Sequence, residues 1–108
     1  MRRIGELDFI RISRTVISDN FEWDDGKAAA NFAKLGVSFA EATLVFDDLN
    51  AVEEIDDSIN YGEDRWKITG MSNGRLVVVV YTERNGRNRL ITARRGERRD
   101  YDDYYRST

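Results

Sequence analysis

The 108-residue chain contains no cysteine, no histidine and no proline. Without cysteine there is no disulfide framework, no thiolate zinc site and no thiol nucleophile. Without histidine the chain lacks the usual general base near neutral pH, the usual activator of a nucleophile and the commonest metal ligand. Any catalysis has to run on Asp, Glu, Lys, Arg, Tyr, Ser or Thr. Turns, lacking proline, fall to glycine and asparagine. Long apolar runs are missing too: nothing approaches the ~20 residues of a membrane span. The opening "MRRIGELDFIRISRTVISDN" has no continuous apolar stretch of the signal-peptide kind. These absences lead to the expectation of a soluble, cytoplasmic protein without metal or cofactor. The length suits one domain, with residues 1–19 an extension, either strand or loose arm, and residues 20–108 the domain proper.

What the chain does have is charge, unevenly spread. Residues 1–20 carry four Arg against three acids, residues 21–64 two Lys against twelve acids, and residues 65–108 ten Arg and one Lys against five acids. The overall balance of −3 argues against indiscriminate duplex binding, which needs a broad cationic surface. The arginine-rich last segment points to phosphate recognition, since a planar guanidinium can pair its N–H groups with phosphate oxygens. Attraction between the acidic middle and the basic end is the structural alternative.

Periodicity and punctuation predict the elements. "NFEWD" reads as a short strand with Phe21 and Trp23 on one face. Asp24 is placed to cap a helix over "DGKAAANFAKL", which Gly36 ends. Ser38 and Glu41 form the S-x-x-E capping box of a second helix, "FAEATLVFDD", with Val37 set to staple against Ala42. The acidic "DDLNAVEEIDDS" lacks a calcium-loop pattern and reads as a solvated loop with at most an edge strand over 52–55. "RWKITGMS", "RLVVVVYTE" and "NRLITAR" are then joined by Asn73–Gly74 and Asn85–Gly86, the preferred pair for tight hairpin turns. The middle strand, apolar from Leu76 to Tyr81, should be central. "GERRDYDDYYRS" closes the chain as a helix carrying Tyr101, Tyr104 and Tyr105. The fold class expected is α+β: a small antiparallel sheet with a three-stranded meander, two N-terminal helices packed on it and a C-terminal helix.

"FEWDDGKAAANFAKLGVSFAEATLVFDD", "GEDRWKITGMS" and "GRLVVVVYTERNGRNRLITARR" together resemble the BrnT toxins of bacterial type II toxin–antitoxin systems, over about residues 20–104. The resemblance implies a RelE-like fold and a ribonuclease that stops translation. It also implies a BrnA-like antitoxin partner, through which alone operator DNA is contacted. Family members usually read Lys-His-Gly at the helix corner, where this chain has Lys34–Leu35–Gly36. Their last helix usually follows Ala-Thr with a Glu three residues on, where this chain has Gly96–Glu97 and Asp100. The resemblance therefore admits a second expectation, a catalytically weak or inactive member acting as antitoxin partner and co-repressor. A third reading, a nucleic-acid-binding module with no toxin role, predicts salt-sensitive binding that leaves RNA intact.

Metal-free RNA cleavage needs a proton acceptor for the 2′-hydroxyl, charge stabilisation at phosphorus and help for the leaving oxygen. At the matched positions, the candidate catalytic residues are Lys34, Arg65, Tyr81, Glu83 and Arg94. The candidate RNA-binding residues are Arg65, Arg94, Arg95 and Arg98. Glu63 is a further proton-transfer candidate. Each has a plain structural alternative: Arg65 paired with Asp64 or Glu63, Lys34 solvated near a helix C-terminus, Tyr81 in the core, Glu83 solvated beside a hairpin. Trp23 and Trp66 are expected in the core rather than stacked on bases. The expectation to test is that Lys34, Arg65 and Arg94 meet around one hollow near the helix corner.

Overall fold

The computed structural model describes residues 14–56 and 64–107, so Glu63 lies outside the described residues. The chain runs through β1 (Thr15–Ile17), β2 (Phe21–Asp24), α1 (Asp25–Leu35), α2 (Phe39–Thr43), a 3₁₀ turn (Leu44–Asp47), β3 (Val52–Ile55), β4 (Trp66–Ser72), β5 (Arg75–Arg84), β6 (Arg87–Arg95) and α3 (Arg98–Arg106). The strands form one six-stranded sheet in the order β1-β2-β6-β5-β4-β3. The sheet is larger than the small one expected, and it is not wholly antiparallel. β2 joins β6 in parallel, Phe21 opposite Asn88 and Glu22 opposite Arg89, because α1 and α2 carry the chain across the sheet before it returns.

Local chemistry explains the helix boundaries. The Asp24 carboxylate accepts the Lys27 N–H at 3.0 Å, which satisfies one otherwise orphaned donor at the start of α1. Gly36 ends the helix at φ +72°, its N–H bonded to Phe32 O, a conformation glycine adopts without Cβ strain. Ser38 Oγ accepts the Glu41 N–H at 3.0 Å. The expected reciprocal half of that capping box is replaced: the Glu41 carboxylate instead takes two bonds of 2.8 Å from Arg75. The second helix is also shorter than predicted, tightening to 3₁₀ geometry after Thr43. Thr43 Oγ1 donates back to Ala40 O at 2.7 Å, a bond of the kind that bends helices.

Val37, Phe39, Ala42 and Val45 from the helix layer pack on Ile68, Val77, Val79, Tyr81, Leu90 and Ala93 of the sheet. Trp23 and Trp66 lean on this core and are partly buried. On the opposite side of the sheet, the far side, α3 rests on β4 and β5. Gly96 allows that approach, since a Cβ there would lie 2.9 Å from Leu76. A capping box, Glu97 with Asp100, starts α3, so the departure from Ala-Thr…Glu keeps the capping chemistry. Both hairpins turn on Asn–Gly with all four residues at positive φ, as a type I′ turn requires.

Candidate functional site

One register irregularity arranges the cations. Along β6, Arg94 pairs with Val78 and Arg89 with Thr82, with a bulge between Val80 and Tyr81 that leaves Ile91 without a partner. Strict alternation would put residues 89 and 94 on opposite faces. The bulge brings both to the far side, opposite the core-facing Tyr81, Leu90 and Ala93. There Arg89 lines a hollow of about 140 Å³ with Lys27, Arg65, Arg84, Thr82, Leu90, Ile91 and Asp24. Four cationic side chains therefore share one concavity with a single carboxylate among its described lining residues. Arg89 is held by Glu22 at 2.6 Å, and Arg65 and Arg84 have interactions of their own. A second hollow, lined by Asp64, Trp66, Thr82 and Glu83, shares Thr82 with it.

The predicted site residues do not all meet here. Arg65 lines the hollow and Glu83 the second one. Lys34 is exposed on α1, seven residues beyond Lys27 and so on the same flank of the helix, about 10 Å along its axis. It is not among the residues that line the hollow. Arg95 turns to the other side of the sheet, where its guanidinium lies against the corner: a Cβ on Gly36 would stand 3.2 Å from it. Arg94 is bound to Asp100 at 2.8 Å, and Arg98 is exposed at the start of α3. Arg94 and Arg89 are four β5 positions apart by register, about 13 Å, so Arg94 stands beyond the hollow's edge.

Tyr81 belongs to the core. It is 5% exposed, packs edge-on against Phe46 at 5.0 Å and donates its hydroxyl to the Glu53 carboxylate. Burial first, then the hydrogen bond and charge of Glu53 and the charge of Glu83, push its pKa upward, which makes it a phenol that keeps its proton. Glu53 and Glu54, expected in a solvated loop, thus hold structure: Glu54 pairs with Lys67 at 2.7 Å. Asp48 does the same, accepting the Met71 N–H at 2.8 Å, the Asn50 N–H at 2.9 Å and the Tyr104 hydroxyl at 2.7 Å. Burial works against its charge, but these donors prevail and hold its carboxyl below the usual range. Among the described residues no three acidic side chains are grouped to hold a metal ion.

Asn31 was not singled out by sequence reasoning, yet it builds the corner. Its Nδ2 donates to Val37 O and to Ala93 O, both at 2.9 Å, and its Oδ1 accepts the Ala93 N–H at 3.1 Å. β2 pairs with β6 only at Asn88 and Arg89, so Asn31 serves the free strand edge at Ala93 and fixes α1 beside it. Lys27, Arg84 and Arg89 were missed as well. Lys27 carried a signal, its seven-residue spacing from Lys34; Arg89 carried none, because the bulge reverses its face.

A family model described as "Ribonuclease toxin, BrnT, of type II toxin-antitoxin system" matches residues 23–100. Among curated proteins none matches. The matched span includes α1, the corner, the whole of β4–β6 and every residue named as lining the cationic hollow.

Proposed function

The chain belongs to the BrnT family of ribonuclease toxins of type II toxin–antitoxin systems, and from that premise we propose that it is a metal-independent endoribonuclease with a RelE-like fold. In this reading the 2′-oxygen attacks the adjacent phosphorus and the bond to the 5′-oxygen breaks. The products are a 2′,3′-cyclic phosphate and a free 5′-hydroxyl. Arg65, with Lys27, Arg84 and Arg89, binds the scissile phosphate and stabilises the charge that grows on its oxygens. Glu83, in the hollow that shares Thr82, accepts the 2′-hydroxyl proton, and solvent water protonates the departing 5′-oxygen. Lys34 on the same helix flank, and Arg94, Arg95 and Arg98 beyond the hollow, hold the neighbouring backbone. The observation that carries this reading is the gathering of four cations in one hollow. Guanidinium groups at phosphorus supply the stabilisation that a metal would otherwise give. The protein antitoxin that the family implies is, on this proposal, BrnA-like, and operator DNA is reached only through it. Translation inhibition in the cytoplasm follows from RNA cleavage there.

The test is induction without antitoxin, together with cleavage of RNA by purified protein in a chelator. The parent should arrest growth and cut RNA, and Arg65→Ala should slow cutting by about 10²-fold or more. A parent that binds RNA and never cuts it would end the proposal.

The second reading, a silent member that serves as antitoxin partner and co-repressor, is favoured by one observation: Leu35 stands 37% exposed at the corner in a chain without histidine. If the parent is silent while Leu35→His cuts RNA and arrests growth, that reading stands.

A further inference from the structure

A surface helix normally turns a polar face to water. α1 exposes an apolar strip beside its lysines: Ala29, Ala30, Phe32, Ala33 and Leu35 are all exposed, with Phe32 at 58%. Its polar Asn31 is the residue turned inward, 8% exposed. At 100° per residue, Ala29, Phe32 and Ala33 form one continuous outer strip. The alanines matter as much as the phenylalanine, because small side chains let a second helix come close and a single ring can seat in its grooves. A strip of this kind, rimmed by polar groups, marks an interaction surface.

The rim says what covers it. Lys27 and Lys34 run along one flank, and Arg95 closes the corner end against Gly36. All three are exposed, and among the described residues Lys34 and Arg95 have no carboxylate partner. A second copy of this face would bring cations against cations. An amphipathic helix with acidic flanks would be complementary in shape and in charge. We infer that the outer strip of α1 is the docking surface for an amphipathic, acid-flanked helix of the antitoxin. The inference rests on the toxin–antitoxin reading above and adds its site: the bound helix lies beside Lys27 and Lys34 and so covers one wall of the RNA hollow.

The experiment uses the full chain and the antitoxin encoded with it, as the purified complex and as separate proteins. Phe32→Glu and Ala33→Glu are exposed, helix-compatible changes. Each should raise the antitoxin dissociation constant at least tenfold, while the free toxin melts at the parental temperature and cuts RNA at the parental rate. Arg95→Glu should also weaken the complex and reduce its salt dependence. The inference is overturned if both glutamate variants bind antitoxin within twofold of the parent. It is equally overturned if they impair RNA binding instead, which assigns the strip to RNA, or if the free parent is a dimer that Phe32→Glu dissolves, which assigns it to self-association. If the parent never cuts RNA but the two variants still lose antitoxin, the nuclease reading fails and the docking surface survives.

Discussion

At the scale of single residues, one buried polar side chain ties a helix to a strand. Asn31 is a helical residue acting as a piece of β-strand for Ala93, and its loss leaves the Ala93 N–H and two carbonyls unmatched in a dry setting. Asn31→Leu, close in size but without the bonds, should destabilise the chain by about 3 kcal/mol, since each orphaned buried group costs roughly 1–3 kcal/mol. Chemical denaturation would measure it, and a cost under about 1 kcal/mol would mean that water reaches the site. Nothing near Asn31 in the chain announces this role, because asparagine within a helix usually faces solvent. Tyr81 shows the reverse. Its place on a strand face was legible, but whether that face met RNA or the core depended on what packed there, and Phe46 and Glu53 decided for the core.

At the scale of elements, boundaries were the most legible feature. Asp24, Gly36, Ser38 and the two Asn–Gly pairs act through bonds within four residues, so their partners are neighbours in the chain. The helix corner combines such a local rule with a distant contact. Gly36→Ala should cost about 1–2 kcal/mol for the left-handed conformation alone, and the added methyl also presses on Arg95 at 3.2 Å. Arg95→Ala should therefore recover only part of the loss, and full recovery in thermal melts would show that the contact, not the backbone, sets the cost. The second helix was overestimated because its apolar spacing continues through Phe46, whereas the Thr43 bond to Ala40 tightens the backbone first. β1 and the parallel β2–β6 junction were less legible, since short strands at a sheet edge owe their pairing to distant residues.

At the scale of the whole molecule, α3 is tied to the rest by two depressed carboxyls. Asp48 holds Tyr104, whose own pKa that bond first, with burial, pushes up to about 12. Asp100 is buried, which disfavours its charge, yet the Arg94 hydrogen bond, the Glu97 N–H and the charges of Arg94 and Lys67 keep it below the usual range. Both groups have folded pKa values under their unfolded ones, so their stabilisation is complete above the unfolded value, near 4. It is lost as pH falls through the folded values. Stability should decline on acidification below about pH 4, with Asp48→Asn less stable at pH 7 and flatter through the acid limb. Equal acid sensitivity in parent and variant would contradict the assignment. If four cations of the hollow each engage a single-stranded RNA phosphate, raising salt fourfold should weaken binding by about 50-fold. In a titration of uncleaved RNA analogue, a slope near zero would remove the hollow from the binding surface.

Composition, capping and turn residues were sufficient to establish the α+β class, the order of most elements and the absence of histidine or thiol chemistry. Each follows from residue identity or from neighbours a few positions apart. Which cations share a hollow was settled only by the folded chain. One unpaired residue at the β6 bulge turns Arg89 to the side of Arg94, while the sheet carries Arg65 to the first and away from the second. Such convergence depends on register and crossover between strands distant in sequence, and no local pattern of residues encodes it.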